Sequence, residues 1–176
     1  MSPDLAKIAL LVLFPPLVIV AGVKDLSTFT IPNWISVALA TAFVPAALTA
    51  GMTPAAIGLC VLVGAGTLVL GAGMFAFGWI GGGDAKLMAA ASLWLGVKAL
   101  APFAIYTALA GGALALSLLA LRSAWVRPYA MVGPSWVGRL ATPGESAPYG
   151  VAIAIGALAA FPQGVISGAA HLVLWN

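Results

Sequence analysis

The sequence predicts an all-α, polytopic membrane protein with about six transmembrane helices, and three observations carry that expectation. Of the 176 residues, 63% are hydrophobic and only 6% are charged. The mean hydropathy is +1.15, far from the balance of an ordinary soluble domain. The apolar residues fall in long runs of Ala, Leu, Val and Gly without the period of two that a lipid-facing barrel strand requires, which leaves helices to satisfy the backbone inside a bilayer.

Six runs define the elements in order. The first, about Ala6–Val23, imitates a signal peptide through Lys7 and its apolar stretch, but Pro15 and Pro16 interrupt it and no A-x-A cleavage site closes it; it reads as a retained helix. The second covers about Trp34–Ala50, with Pro32 and Asn33 starting it, because proline suits a first turn. The third spans about Ala55–Ile80, the fourth Ala85–Gly96, the fifth Pro102–Leu121 and the sixth Tyr149–Leu174. The fourth falls short of the ~20 residues of an upright span, so its ends must be buried in protein. The longest polar connection, Arg122–Ala147, mixes Pro128, Pro134 and Pro143 with Trp125, Tyr129 and Trp136, the composition of an irregular segment at headgroup level. Nothing divides the chain, which reads as one membrane-embedded domain over residues 1–176.

Composition also excludes function classes. The net charge is +3, but the basic residues are scattered among apolar runs and form no stripe for nucleic acid; the lipid bilayer is the expected partner, and anionic lipid the expected contact of the arginines in Arg122–Ala147. The single cysteine, Cys60, lies in an apolar run and permits no internal disulfide or cysteine cluster, and the lone His171 has no second ligand. No metal and no cofactor is therefore expected. With the N-terminus outside, Lys24, Lys86, Arg122, Arg127 and Arg139 fall in cytoplasmic connections and only Lys7 and Lys98 on the other side, which satisfies the positive-inside bias.

That orientation places Asp25, after the first run, and Asp84, in the stretch Gly81-Gly82-Gly83-Asp84-Ala85-Lys86, at the same face of the membrane. Three glycines permit unusual backbone angles and close approach of another segment, and an aspartate following them suits a helix N-cap. Acids at the edge of a membrane bundle are costly and by default mark function. Two adjacent carboxylates share one proton, so one acts as a base on water while the other donates to a scissile carbonyl. The residues alone leave three functions open: an aspartyl protease, a proton-linked transporter that uses the acids as a relay, and a non-catalytic assembly subunit.

The pattern Asp25-Leu26, Ile31-Pro32-Asn33, Gly81-Gly82-Gly83-Asp84-Ala85-Lys86-Leu87 and Pro148-Tyr149-Gly150 resembles the prepilin peptidases of type IV pilus and related systems, whose signature is G-x-G-D. The short chain is similar to the compact forms that serve Flp-type, tight-adherence pili. The resemblance implies that Asp25 and Asp84 are the catalytic pair, that Gly81 and Gly83 are motif glycines at the substrate approach with Gly82 the variable position, and that a prepilin loses its short basic leader at the cytoplasmic face of the inner membrane. Presenilin-type proteases share G-x-G-D, but the Ile31-Pro32-Asn33 element favours the prepilin reading. Lys86 reads as a topogenic anchor, since residues two apart on a helix do not face each other, and Pro148-Tyr149-Gly150 as the start of the sixth run. A reporter fused after Lys86 or within Arg122–Ala147 is expected to report cytoplasm; a reporter after Lys86 that reports the outside contradicts the orientation.

Overall fold

The structure, a computed structural model, describes residues 12–166. Lys7, the start of the first run, His171 and the end of the sixth run lie outside the described residues. Among the described residues seven α-helices follow in order: α1 Phe14–Thr28, α2 Asn33–Thr49, α3 Pro54–Ala76, α4 Gly82–Leu121, α5 Arg127–Ala130, α6 Ser135–Leu140 and α7 Tyr149–Ala160, which continues into a 3₁₀ turn at Phe161–Gln163. No strand forms among the described residues.

Local chemistry explains most boundaries. Pro15 and Pro16, which interrupt the apolar run in the sequence, occupy the first turn of α1, where a missing N–H is harmless. The helix then runs past Val23 and ends at Phe29, whose N–H bonds Asp25 O from a left-handed conformation. Pro32 is extended (φ −62°, ψ 132°) and caps α2. Thr53 caps α3 by accepting from Ala56 N. This helix stops at Ala76, earlier than Ile80, in a turn through Gly78 at φ 72°.

The fourth and fifth runs meet in α4. A straight helix of 40 residues would be about 60 Å long, but α4 reverses at Gly96, where φ is 66° and ψ is −173°. Its first half packs antiparallel to α3, where Gly64 lies against Leu93 and Gly71 against Ala85; its second half packs antiparallel to α7, where Thr107 meets Gly156 and Gly111 meets Ala152. Only glycine adopts these angles readily, and a Cβ at Gly96 would lie 2.5 Å from Val165 Cγ2.

The core at the Gly96 end is aromatic. Phe14 stacks on Phe161 with ring centroids 4.9 Å apart and tilts against Trp94 at 5.4 Å, and Phe43 meets Trp94 edge-on. The fully buried Trp94 donates its indole N–H to Leu39 O at 2.8 Å, which satisfies the one polar atom of the ring. The outside is the reverse of a soluble protein: Leu62, Val69, Leu70, Leu109 and Leu116 are 66–72% exposed. Helices α3 and α4 are long and apolar enough to cross a membrane by length and composition, although each half of α4 counts separately once it reverses.

The connection between α4 and α7 is more ordered than its prolines suggested, because the Arg122 guanidinium donates to Leu140 O and Glu145 O, each at 2.9 Å, and so fixes α6 and the strand of chain after it. A Gly96→Ala substitution should destabilise the bundle by about 1–3 kcal/mol through its forced angles alone, with the contact to Val165 adding to that, as measured by denaturant unfolding in detergent micelles.

Candidate active site

Asp25 and Asp84 arrive at one end of the bundle, opposite the aromatic core and outside the apolar runs. Asp25 sits in the last turn of α1 and is only 6% exposed. Its Oδ2 accepts a 2.7 Å hydrogen bond from the N–H of Gly150, 125 residues away, in the first turn of α7. Asp84 sits in the first turn of α4, half-buried, and its Oδ2 accepts from Gly81 N at 3.1 Å. It is not the N-cap that the sequence suggested. Gly81 is the cap, and Asp84 two residues inside the first turn reaches back to it, supplying the carboxylate half of a capping box whose other half glycine has no side chain to make.

Of the two roles expected of the glycines, unusual backbone angles and close approach of another segment, the structure shows the second. None of Gly81, Gly82 and Gly83 has a positive φ; Gly81 is extended at φ −72°, ψ 150°. What matters is the missing side chain. A Cβ at Gly83 would lie 3.1 Å from Ile31 Cβ and one at Gly81 would lie 2.9 Å from Asp84 Oδ2, whereas one at Gly82 would make only ordinary contacts with Phe75. Ile31 is thus held against Gly83 on one side, and its Cδ1 reaches the bare Cα of Gly150 on the other.

Burial pushes both carboxyls above the ordinary range. For Asp25 the Gly150 N–H opposes that push. Asp84 is pushed up to about 6, first by burial and then by the charge of Asp25, with the Gly81 N–H acting the other way. The field of one acid on the other makes them a coupled pair whose titration belongs to both. They open onto two adjoining cavities that share Asp25, Phe29, Gly81 and Asp84 as walls: one of about 260 Å³ against Ile31, Asn33 and Gly83, the other of about 410 Å³ against Trp79, Ser146 and Tyr149. A larger apolar groove of about 670 Å³ runs between α2, α3 and α4, touches neither acid, and reaches the cleft at Asn33.

Other residues around the cleft have partners that the sequence did not disclose. Lys86 does not turn to the acids; its Nζ donates to Asn33 Oδ1 at 2.9 Å and ties α4 to the start of α2. Arg139, expected at anionic lipid, lies over the Phe29 ring at 4.3 Å and pairs with Glu145 at 3.7 Å, so the connection folds onto the cleft. Phe29 is the one non-glycine residue at positive φ among the described residues, an unfavourable conformation for a bulky side chain held under that arginine. Pro148-Tyr149-Gly150 does more than begin a helix. Its adjacent bulky and bare residues were the available signal, but nothing in the sequence says which segment packs against the bare one.

An all-helical, outwardly apolar bundle that gathers two coupled acids into a glycine-walled cleft has the make-up of a membrane-associated aspartic-type protease. The chain belongs to the type IV leader peptidase family, whose model matches residues 12–116, more than half of the chain. No curated protein and no solved structure matches it. The matched segment contains Asp25, Gly81, Gly83 and Asp84 but not Gly150.

Asp84 keeps its proton up to about pH 6 in the folded protein, against the ordinary value of 3.8 when exposed. The folded state therefore binds more protons than the unfolded state between these values, so this group's contribution to stability is present at low pH and is lost as pH rises through about 6. Thermal unfolding midpoints should fall across that interval, and less so in Asp84→Asn. Asp25→Asn removes the charge that helps to raise Asp84, so the Asp84 carboxyl ¹³C titration should move to lower pH; a midpoint that stays or rises contradicts the coupling.

Proposed function

We propose that this chain is a multi-pass aspartyl endopeptidase of the inner membrane that removes the short basic leader of a prepilin or prepilin-like protein at the cytoplasmic face, with Asp25 and Asp84 as its catalytic pair. Family membership supports the leader peptidase class. The observation that carries the assignment of residues is that both acids wall the same cleft while each has one carboxyl oxygen occupied by a helix N-terminal N–H. The other oxygen of each carboxyl is left for water and substrate.

The chemistry follows from one proton shared by two groups. With one proton shared by the pair, we assign Asp25, whose anion is held by the shorter hydrogen bond from the Gly150 N–H, as the base and Asp84 as the acid. Asp25 takes a proton from water as its oxygen attacks the scissile carbonyl; Asp84 donates its proton to the carbonyl oxygen, and a tetrahedral diol forms. Its collapse breaks the C–N bond, the leaving nitrogen takes a proton from Asp25, and Asp84 recovers its own from the diol hydroxyl. The products are a new carboxyl end and a new amine, and the pair returns to its starting state. Gly81 and Gly83 line the smaller cavity beside the acids, and their missing side chains let the Asp84 carboxylate and Ile31 pack at the substrate approach.

The exposed leucines and valines of α3 and α4 support a lipid-embedded bundle of about six spans over the whole chain, with Lys86 and the arginines at the cytoplasmic end. No observation specifically favours the transporter or inert-subunit readings.

Asp25→Asn and Asp84→Asn keep side-chain size but not the ability to ionise, so each should reduce leader release by about 10²–10⁴-fold while the protein still inserts and accumulates. The double variant should be no worse than either single one, because the two groups act as a unit. The assay is co-expression with candidate prepilins and a mass measurement of leader loss. Near wild-type processing by a purified Asp84→Asn protein contradicts the mechanism and favours a non-catalytic assembly subunit.

A further inference from the structure

Asp25 is held from outside the matched family segment. Its helix, α1, meets α7 through small residues at matched spacing: a Cβ on Gly22 would lie 3.0 Å from Ala154 Cβ, and one turn along the same pair of helices Asp25 faces Gly150. The close approach lets a backbone N–H reach a buried carboxylate directly. Gly150 is in the first turn of a 12-residue helix whose cap, Pro148, makes no side-chain cap bond, so its N–H is one of the donors a helix leaves unpaired. Asp25 supplies the missing acceptor from another helix. At the other acid the same task is done within one helix, between Asp84 and Gly81.

We propose that Gly150 is a positioning residue for Asp25: its N–H pins Oδ2 so that the remaining oxygen faces the cleft, and glycine is required because any side chain there would displace the carboxylate. A Cβ on Gly150 would come 2.8 Å from Asp25 Oδ2, 2.9 Å from Asp25 Cβ and 2.7 Å from Ile31 Cδ1. The first two contacts involve the catalytic side chain itself; the third is with the isoleucine wedged between Gly83 and Gly150. This inference rests on the proposed role of Asp25, and the segment 148–150 then belongs to the active site as much as the G-x-G-D stretch does.

The N–H also stabilises the ionised form of Asp25, which gives a signature that packing alone lacks. The charged and titratable groups around Asp25 are Asp84 of α4 and Tyr149 of α7, which line the same cavity; Arg139 of α6 stacks on Phe29 and pairs with Glu145, Lys86 is bonded to Asn33, and Lys24 is exposed on α1 itself. Of these, none donates a hydrogen bond to Asp25; that donor is Gly150.

The test is Gly150→Ala in the full chain, reconstituted in lipid and assayed for leader release. A displaced base misaligned by about 1 Å should lower kcat about 10²-fold with KM changed less than about two-fold, and the acidic limb of the kcat/KM profile should move to higher pH as the anion loses its donor. Gly22→Ala, which crowds the same helix pair without touching the carboxylate, should leave that limb in place. Ile31→Ala combined with Gly150→Ala removes the contact with isoleucine but not the one with Asp25, and should not restore kcat. Wild-type kcat and pH profile in Gly150→Ala, restoration by Ile31→Ala, or an equal shift of the limb in Gly22→Ala each overturns the proposal. An arm independent of cleavage uses ¹⁵N-glycine labelling: the Gly150 amide resonance should follow the Asp25 titration. An amide that stays constant while Asp25 titrates overturns the hydrogen bond whatever the activity, whereas an amide that titrates in a chain that cleaves no prepilin leaves the bond standing and refutes only the assigned function.

Discussion

A carboxylate taken out of water must be met by donors, and that requirement organises this molecule. Asp25 is almost wholly buried, and an ionised carboxyl without partners in such a place would protonate or unfold its surroundings. Among the described residues, no basic side chain is bonded to it. Its donor is a backbone N–H at the start of α7, so α1 and α7 must cross at backbone distance. That is why the crossing is built from Gly22, Gly150 and Ala154. A charged partner such as lysine would have pulled Asp25 down into permanent ionisation; an amide dipole satisfies it while burial still holds its carboxyl above the ordinary range.

The remaining architecture delivers three segments to that point. Reversal of α4 at Gly96 sends the chain back along α7, so the start of α4 with Asp84 and the start of α7 with Gly150 share one end of the bundle. The loop after α1 contributes Ile31, which fills the space left by the glycines at 83 and 150. The aromatic cluster of Phe14, Phe43, Trp94 and Phe161 holds the opposite end. Rigid packing is thereby separated from the polar cleft, and the strain of a left-handed Phe29 is confined to the cleft, where Arg139 covers its ring.

Many bulky apolar side chains of α3 and α4 face outward while the closest helix crossings use Gly and Ala, the arrangement expected where burying leucine against leucine brings no hydrophobic gain. Close contact at small residues gives the van der Waals packing and backbone proximity that a site of this kind needs. The same logic accounts for polar atoms at the cleft being answered by neighbouring protein groups: Lys86 by Asn33, Arg122 by two carbonyls, Arg139 by Glu145.

The sequence by itself determined what depends on local chemistry and on burial averaged over a run: helices throughout, breaks at Pro32 and Gly96, and the rarity of acids, which singled out Asp25 and Asp84. Apolar runs and helix punctuation are written in neighbouring residues, so they can be read in order. Only the tertiary structure decided which groups meet across the chain. That Gly81 and Gly83 serve close approach instead of positive φ, that Lys86 binds Asn33, that Arg139 turns onto Phe29 and that Gly150 bonds Asp25 are pairings between segments up to 125 residues apart. In uniformly apolar helices the faces carry little periodic contrast, so nothing in the order of residues says which face meets which, and the glycine that holds a buried carboxylate looks like any other helix start until the helices are packed.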